Sequence, residues 1–298
     1  MGISKTTAFL LQELSSKGLL RGDLLQLGVQ RISPDAKHLV KSFSVLELSK
    51  RKSQATSSKA QFWHTLGFEN VSSLDNSDFE GAEIVWDLNL PINDSLVELF
   101  DVVFDGGTME HVFNTSCVLG NINRLLKDGG LAIHEVPSSN FIDHGFYSFS
   151  PNLFREYYLN QGYEIVEILL VVKKRYKAKV YQYFPGDAGV EIPENWGDRN
   201  VNVWCVARKG SNFFRSNVPQ QKKYADLWSQ NDGAQIKVSD STSKLKIFRR
   251  KIRSSIYVMR KKSSIFVLLT DFFYSKPKKK TTMSLKYEIS SKKNGDFV

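Results

Sequence analysis

FDVVFDGGTMEHV, residues 100–112, decides how the rest of the chain is read. Phe100, Val102, Val103 and Phe104 form the short apolar run of a strand buried on both faces. Asp105-Gly106-Gly107-Thr108 then interrupts it with the residue types of a tight turn. Downstream, Val118, Leu119, Ile122, Leu125 and Leu126 recur at helical spacing. Asn114, Thr115 or Ser116 can cap that helix, and Gly129-Gly130 can end it. Residues 131–136, LAIHEV, are the next strand, halted by Pro137. The order strand, turn, helix, strand is the unit of a parallel sheet.

The same alternation extends in both directions. Leu10, Leu11 and Leu14 mark the inner face of a first helix, and residues 23–28, DLLQLG, read as a buried strand ending in glycine. Helical patterns cover 34–48 and 57–66. Strand patterns cover 71–74 and 83–86. After the central unit come a helix over 151–160 and strands over 163–172 and 201–207. No clear helix separates the last two, so they can pair antiparallel at one edge. The expectation for residues 1–210 is an α/β, Rossmann-like, mostly parallel seven-stranded sheet with helices on both faces. Ligands of such sheets bind beyond the carboxyl ends of the strands, which directs attention to the residue after each strand.

Four segments in this order resemble class I S-adenosylmethionine-dependent methyltransferases. They are LLQLGVQ (24–30), SLDNSDFEGAEIVWDLN (73–89), FDVVFDGGTMEHV (100–112) and NINRLLKDGGLAIHEVP (121–137). The stretch DHGFYSFSPNLFREYYLNQGYEI is similar to methyltransferase-type proteins often encoded among surface-polysaccharide genes. The resemblance implies S-adenosylmethionine as cofactor and a transferase activity. It places the cofactor at Gly28 and Gln30 in the first loop, at Asp75 for the ribose hydroxyls and at Asp87 for the adenine amino group. Asp105, Gly106, Gly107 and Thr108 would lie against its methionine part. It also implies that Glu110 and His111 anchor the helix after the fourth strand, with a Glu-His hydrogen bond preferred over catalysis. The family pattern has an acidic residue followed by G-x-G-x-G. This chain has Gln26, Gly28, Gln30 and Ile32 in those places, and a basic KRKSQATSSK run lengthens the following crossover.

Methyl transfer from a sulfonium is an in-line displacement, in which the protein mainly aligns the partners. A base is needed only where the acceptor must lose a proton. Histidine is the side-chain type suited to proton transfer near neutral pH, so His144, in the loop beyond the fifth strand, is the first candidate, with Glu110 and His111 behind it. The expected acceptor is a small molecule, a sugar or glycan precursor methylated on oxygen. Two other readings stand beside it. The lost glycines allow a non-catalytic binding or scaffold module on a degenerate methyltransferase fold. A nucleic-acid methyltransferase is the third, although no Asn/Asp-Pro-Pro-aromatic tetrad is present. The histidines do not show metal-ligand spacing along the chain, so no metal site is expected. Two cysteines, Cys117 and Cys205, fit a reducing compartment.

Charge is unevenly distributed. Twenty of the 41 Lys/Arg residues, but six of the 31 Asp/Glu, lie after residue 210. Residues 211–243 read as a polar linker. Over 244–275, Leu245, Phe248, Ile252, Ile256 and Met259 alternate with Arg249, Arg250, Lys251, Arg253 and Arg260. That is a basic amphipathic helix suited to an anionic membrane surface. Nucleic acid is the rival partner for the same charge. Residues 276–298 read as a disordered basic tail. The N-terminal segment lacks the pattern of a signal peptide. The expected location is cytoplasmic, and peripheral at the inner membrane face.

Overall fold

The computed structural model describes residues 2–47, 58–174, 177–184, 190–191, 196–211, 219–221, 281–282 and 285–290. The chain divides into two compact units, one of residues 1–185, 191–219 and 282–298 and the other of 186–190 and 220–281. Almost all of the second unit lies outside the described residues. The helix expected over 244–275, and nearly all of the linker over 211–243, lie outside them too.

The first unit is an α/β layer structure around one sheet. Its strands are β1 (Gly22–Leu27), β2 (Phe68–Asp75), β3 (Ile84–Val85), β4 (Phe100–Asp105), β5 (Leu126–Ser139), β6 (Glu164–Lys174), β7 (Lys177–Gln182), β8 (Asn200–Arg208) and β9 (Leu285–Ser290). Their order across the sheet is β9-β7-β6-β8-β5-β4-β1-β2-β3. From β5 to β3 every pairing is parallel. From β5 outward through β8, β6, β7 and β9 every pairing is antiparallel. The sheet is therefore mixed and has nine strands among the described residues. The sequence reading expected seven, mostly parallel.

The two extra strands have local causes. Only residues 175 and 176 separate β6 from β7, and so short a link allows an antiparallel neighbour only. β9 falls in the tail that was expected to be disordered. Its Tyr287 and Ile289 pack against the core, and the Tyr287 ring meets Phe9 edge-on at 5.1 Å. The expected antiparallel pairing of the last two body strands is present as β6–β8. It lies inside the sheet, because β8 inserts between β5 and β6.

Helices α1 (Lys5–Ser16), α2 (Pro34–Glu47) and α3 (Ser58–Leu66) pack on one face. Leu10, Leu11 and Leu14 of α1 join Val40, Trp63, Leu24, Val102 and Phe104 in one buried cluster. Burying each such side chain stabilises the fold by roughly 1.5–3 kcal/mol. Strand side chains alternate faces, so Leu25, Val103 and Ala132 point to the opposite side. There α4 (Thr115–Leu125) and α5 (Pro151–Asn160) lie on the sheet. Asn114 caps α4 by accepting from the Cys117 amide at 3.3 Å. Gly129-Gly130 do not end α4. They sit in the irregular start of β5, where Gly129 donates to the Lys209 carbonyl at 3.0 Å.

Candidate functional site

The carboxyl ends of β1, β2 and β4 converge on one rim. β1 and β4 run side by side, with Leu27 opposite Asp105. β1 leaves the sheet at Gly28, which adopts φ +70° and donates to the Leu74 carbonyl at 2.8 Å. Residues 31–32 then pair with Gly2–Ile3 as a short parallel ribbon, before Ser33 caps α2 through the Ala36 amide. That ribbon lengthens the loop by two residues beyond a direct strand-to-helix turn.

The structure brings Gly28, Gln30, Asp75, Gly106 and Thr108 together at this rim. Asp75 ends β2, and its Oδ2 accepts from the Val29 amide at 3.3 Å. Its Oδ1 accepts from the amide of Asn76 at 2.7 Å. Gln30 is buried between the ends of β1 and β4. Its Nε2 donates to the Leu27 carbonyl at 3.0 Å, while its Oε1 has no partner. A Cβ at Gly106 would stand 2.6 Å from that oxygen, and one at Gly28 would stand 2.5 Å from Thr108 Oγ1. The two glycines thus face the chain's own side chains. The Thr108 side chain makes no capping hydrogen bond to the turn that follows. It donates from Oγ1 to the same Leu27 carbonyl at 2.7 Å.

Two expected cofactor residues are engaged elsewhere. Asp105 is completely buried, with its carboxylate turned inward. Oδ1 accepts from the amides of Thr108 at 2.8 Å and Met109 at 3.2 Å, and Oδ2 lies 3.0 Å from His134 Nδ1. His134 Nε2 in turn lies 2.6 Å from the Tyr158 hydroxyl. Asp87 closes a local turn, accepting on Oδ1 from the amide and side chain of Asn89. Gly107, at φ +96°, turns the chain out of β4.

A second cluster lies further along the rim. Met109–His111 form a short turn after β4, and the loop over 140–146 folds against it. The Phe146 amide donates to the Glu110 carbonyl at 2.8 Å, and a Cβ at Gly145 would meet that same oxygen at 2.9 Å. Glycine at 145 is what lets the loop come so close. Glu110 is fully buried, and neither carboxylate oxygen has a hydrogen-bond partner. His111 Nε2 is 3.9 Å from Glu110 Oε1, and His144 Nε2 is 3.8 Å from it. Those separations exceed a hydrogen bond, so the Glu-His bond expected from the sequence is not formed. Burial, and then the nearby charge of Asp105, push the Glu110 carboxyl up to about 8. Burial, and then His144, hold His111 below the usual imidazole range. Phe113 and Phe146, each two residues past one of these histidines, are both largely exposed and meet edge-to-face at 5.8 Å.

Sequence reading missed His134 as a partner of Asp105, and Tyr158 as the partner of His134. Its signal was available only in part, as a histidine on an inward position of an apolar strand. It also missed a hollow of about 520 Å³ beside the first loop, lined by Val29–Ile32, Lys37, Phe79 and Glu80. Nothing local in the sequence links residues 79–80 to that loop.

No protein-family model matches the chain, and no curated protein does. Among solved structures, the chain is similar to the trans-methyltransferase CalH in complex with SAH, at 14% identity and a TM-score of 0.39 over 68% of this chain and 55% of that one. It is similar to TehB from Haemophilus influenzae, at 15% identity and a TM-score of 0.38 over 66% and 61%. It is also similar to an S-adenosylmethionine dependent methyltransferase from Mesorhizobium loti, at 12% identity and a TM-score of 0.38 over 67% and 98%.

Proposed function

We propose that the chain is an S-adenosylmethionine-dependent methyltransferase acting on a hydroxyl acceptor, with a sugar or glycan precursor as the substrate class. One observation carries the reading. At the place where β1 and β4 diverge, the ligand position of such sheets, the occupant is a single side chain held by one hydrogen bond. The Gln30 oxygen is buried without a partner, and leaving an acceptor so costs about 1–3 kcal/mol. If Gln30 turns out, the Leu27 carbonyl keeps the Thr108 hydroxyl. Swinging the amide into water therefore restores its own hydration and orphans nothing. With Gln30 turned out, Gly28 and Gly106 line the room for the methionine part, and Asp75 offers a carboxylate to the ribose hydroxyls. The bound cofactor would supply an activated methyl on a sulfonium. The chain's part is to align the acceptor and exclude water, with His111 and His144 on the acceptor side.

Calorimetry with S-adenosylhomocysteine tests this. Gln30→Gly should tighten binding about fivefold, because the ligand no longer displaces a side chain held by one hydrogen bond worth about 1 kcal/mol. Asp75→Asn should weaken it. No heat from either the natural chain or Gln30→Gly at millimolar ligand would sink the enzyme reading. The non-catalytic reading would then stand, and the burial of Gln30 in the crevice is the observation that favours it.

The basic stretch 244–275 is assigned, on its charge and apolar spacing, to an anionic membrane face. Replacing Arg249, Arg250, Lys251 and Arg253 together with glutamine should abolish sedimentation with phosphatidylserine vesicles. Equal pelleting of both proteins would refute the assignment.

A further inference from the structure

We propose that Glu110, His111 and His144 form a binding site for one divalent transition-metal ion, with zinc the best match to the donors. The inference goes beyond the methyltransferase reading and does not depend on it.

The first ground is the carboxylate. Glu110 is completely buried, and both of its oxygens lack a hydrogen-bond partner. A buried carboxyl with nothing to satisfy it is unfavourable in either protonation state, and such groups are normally paired or bound to metal. The second ground is the spacing. One ligand atom from each of the three residues lies within 4.8 Å of the others. The Glu110 oxygen is 3.8 and 3.9 Å from the two imidazole nitrogens. That is too far for direct bonds and close to what a shared ion needs. Two donors bound to zinc at about 2.0–2.1 Å in tetrahedral geometry stand roughly 3.3 Å apart. The histidine side chains are partly exposed, 46% at His111 and 35% at His144, so they have room to close the difference.

The backbone supports the same gathering. The Phe146 amide binds the Glu110 carbonyl, and Gly145 allows the close approach. Asn140 and Asp143, both in the left-handed region at φ 61° and 62°, bend the loop that delivers His144. This explains why the cluster is not legible as a motif: 32 residues separate its adjacent pair from its third member.

The donor set selects the ion. Two imidazoles and one carboxylate suit zinc, iron or manganese, whereas magnesium and calcium prefer all-oxygen sites. Three protein ligands leave at least one position open, as in catalytic rather than structural zinc sites. That position is suited to water or to the hydroxyl oxygen of an acceptor.

The test uses the full chain, stripped with a chelator and titrated with Co²⁺ as a visible-absorption probe and then with Zn²⁺ by calorimetry. One equivalent should bind, with the intense visible bands of a low-coordinate cobalt site. His111→Ala and His144→Ala should each weaken binding more than about a hundredfold, beyond the effect typical of an outer-shell change. His64→Ala should not change it. Because both cluster histidines are partly exposed, their variants should keep the natural melting temperature. If either loses its fold, the Gln variant at the same position carries the comparison. Absence of stoichiometric binding, or binding that survives both histidine substitutions, overturns the proposal. Because no adenosyl ligand is involved, failure of the cofactor reading and failure of this site give separate results.

Discussion

Asp105→Ala should destabilise the protein by about 3 kcal/mol or more, because it strips the acceptor from three buried donors and each buried donor left unpaired costs about 1–3 kcal/mol. Asp105 has no exposed surface and holds three groups at once. It accepts from two amides of the turn after β4 and lies against His134 Nδ1. Alanine leaves all three without partners. The damage would extend one step further, because His134 is itself fixed by Tyr158 of α5 at 2.6 Å. Burial holds the Tyr158 hydroxyl well above its ordinary pKa. It therefore stays protonated and donates to Nε2, which leaves Nδ1 as the donor toward Asp105. Urea unfolding of Asp105→Ala against the natural chain measures the cost. Asp105→Asn keeps the shape and should lose less. A loss below about 1 kcal/mol for alanine would show that the network does not bear on stability.

The second large effect concerns Glu110 in metal-free protein. Its carboxyl is raised from 4.5 to about 8, first by burial and then by Asp105. Between those values the folded state binds more protons than the unfolded one, so stability falls as pH rises. Below about 4.5 this contribution is fully present, and above about 8 it is lost. At 1.36 kcal/mol per pH unit, the whole span is worth roughly 5 kcal/mol as an upper bound. Glu110→Gln removes the titration and keeps the volume. With chelator present, the variant should be the more stable protein at pH 8–9, with its advantage shrinking toward pH 5. Thermal melts across that range decide the matter. Parallel pH profiles for the two proteins would mean that Glu110 does not titrate in this way.

The parts of the fold legible in the sequence are those written in local periodicity. Leu10, Leu11 and Leu14 announce α1, and the apolar runs at 24–27 and 100–104 announce β1 and β4, because those strands are covered on both faces. β9 was not legible. Leu285, Tyr287 and Ile289 alternate for only six residues among lysines, and their partner strand lies roughly a hundred residues upstream. The site divides in the same way. The placement of Gly28, Asp75 and Gly106 at the carboxyl ends of neighbouring strands was legible from where each apolar run stops. That pattern could not show that the Asp105 carboxylate turns inward, since that depends on His134, 29 residues away. Nor could it show that Gln30 folds back over Gly106, which is a choice of side-chain torsions. The expected Glu110–His111 bond failed for a related reason, because neighbours in sequence on a tight turn need not aim at each other. His144, reached through the 140–146 loop, is as near to Glu110 as His111 is.

The pairing of β9 with β7 has a consequence for how the chain is made. Until residues 285–290 emerge from the ribosome, β7 has an unpaired edge of backbone donors and acceptors on the nascent polypeptide. Exposed edges of this kind recruit other chains. β7 alternates Ala178, Val180 and Gln182 with Lys177, Lys179 and Tyr181, and its two lysines supply the repulsion that discourages such recruitment during the interval.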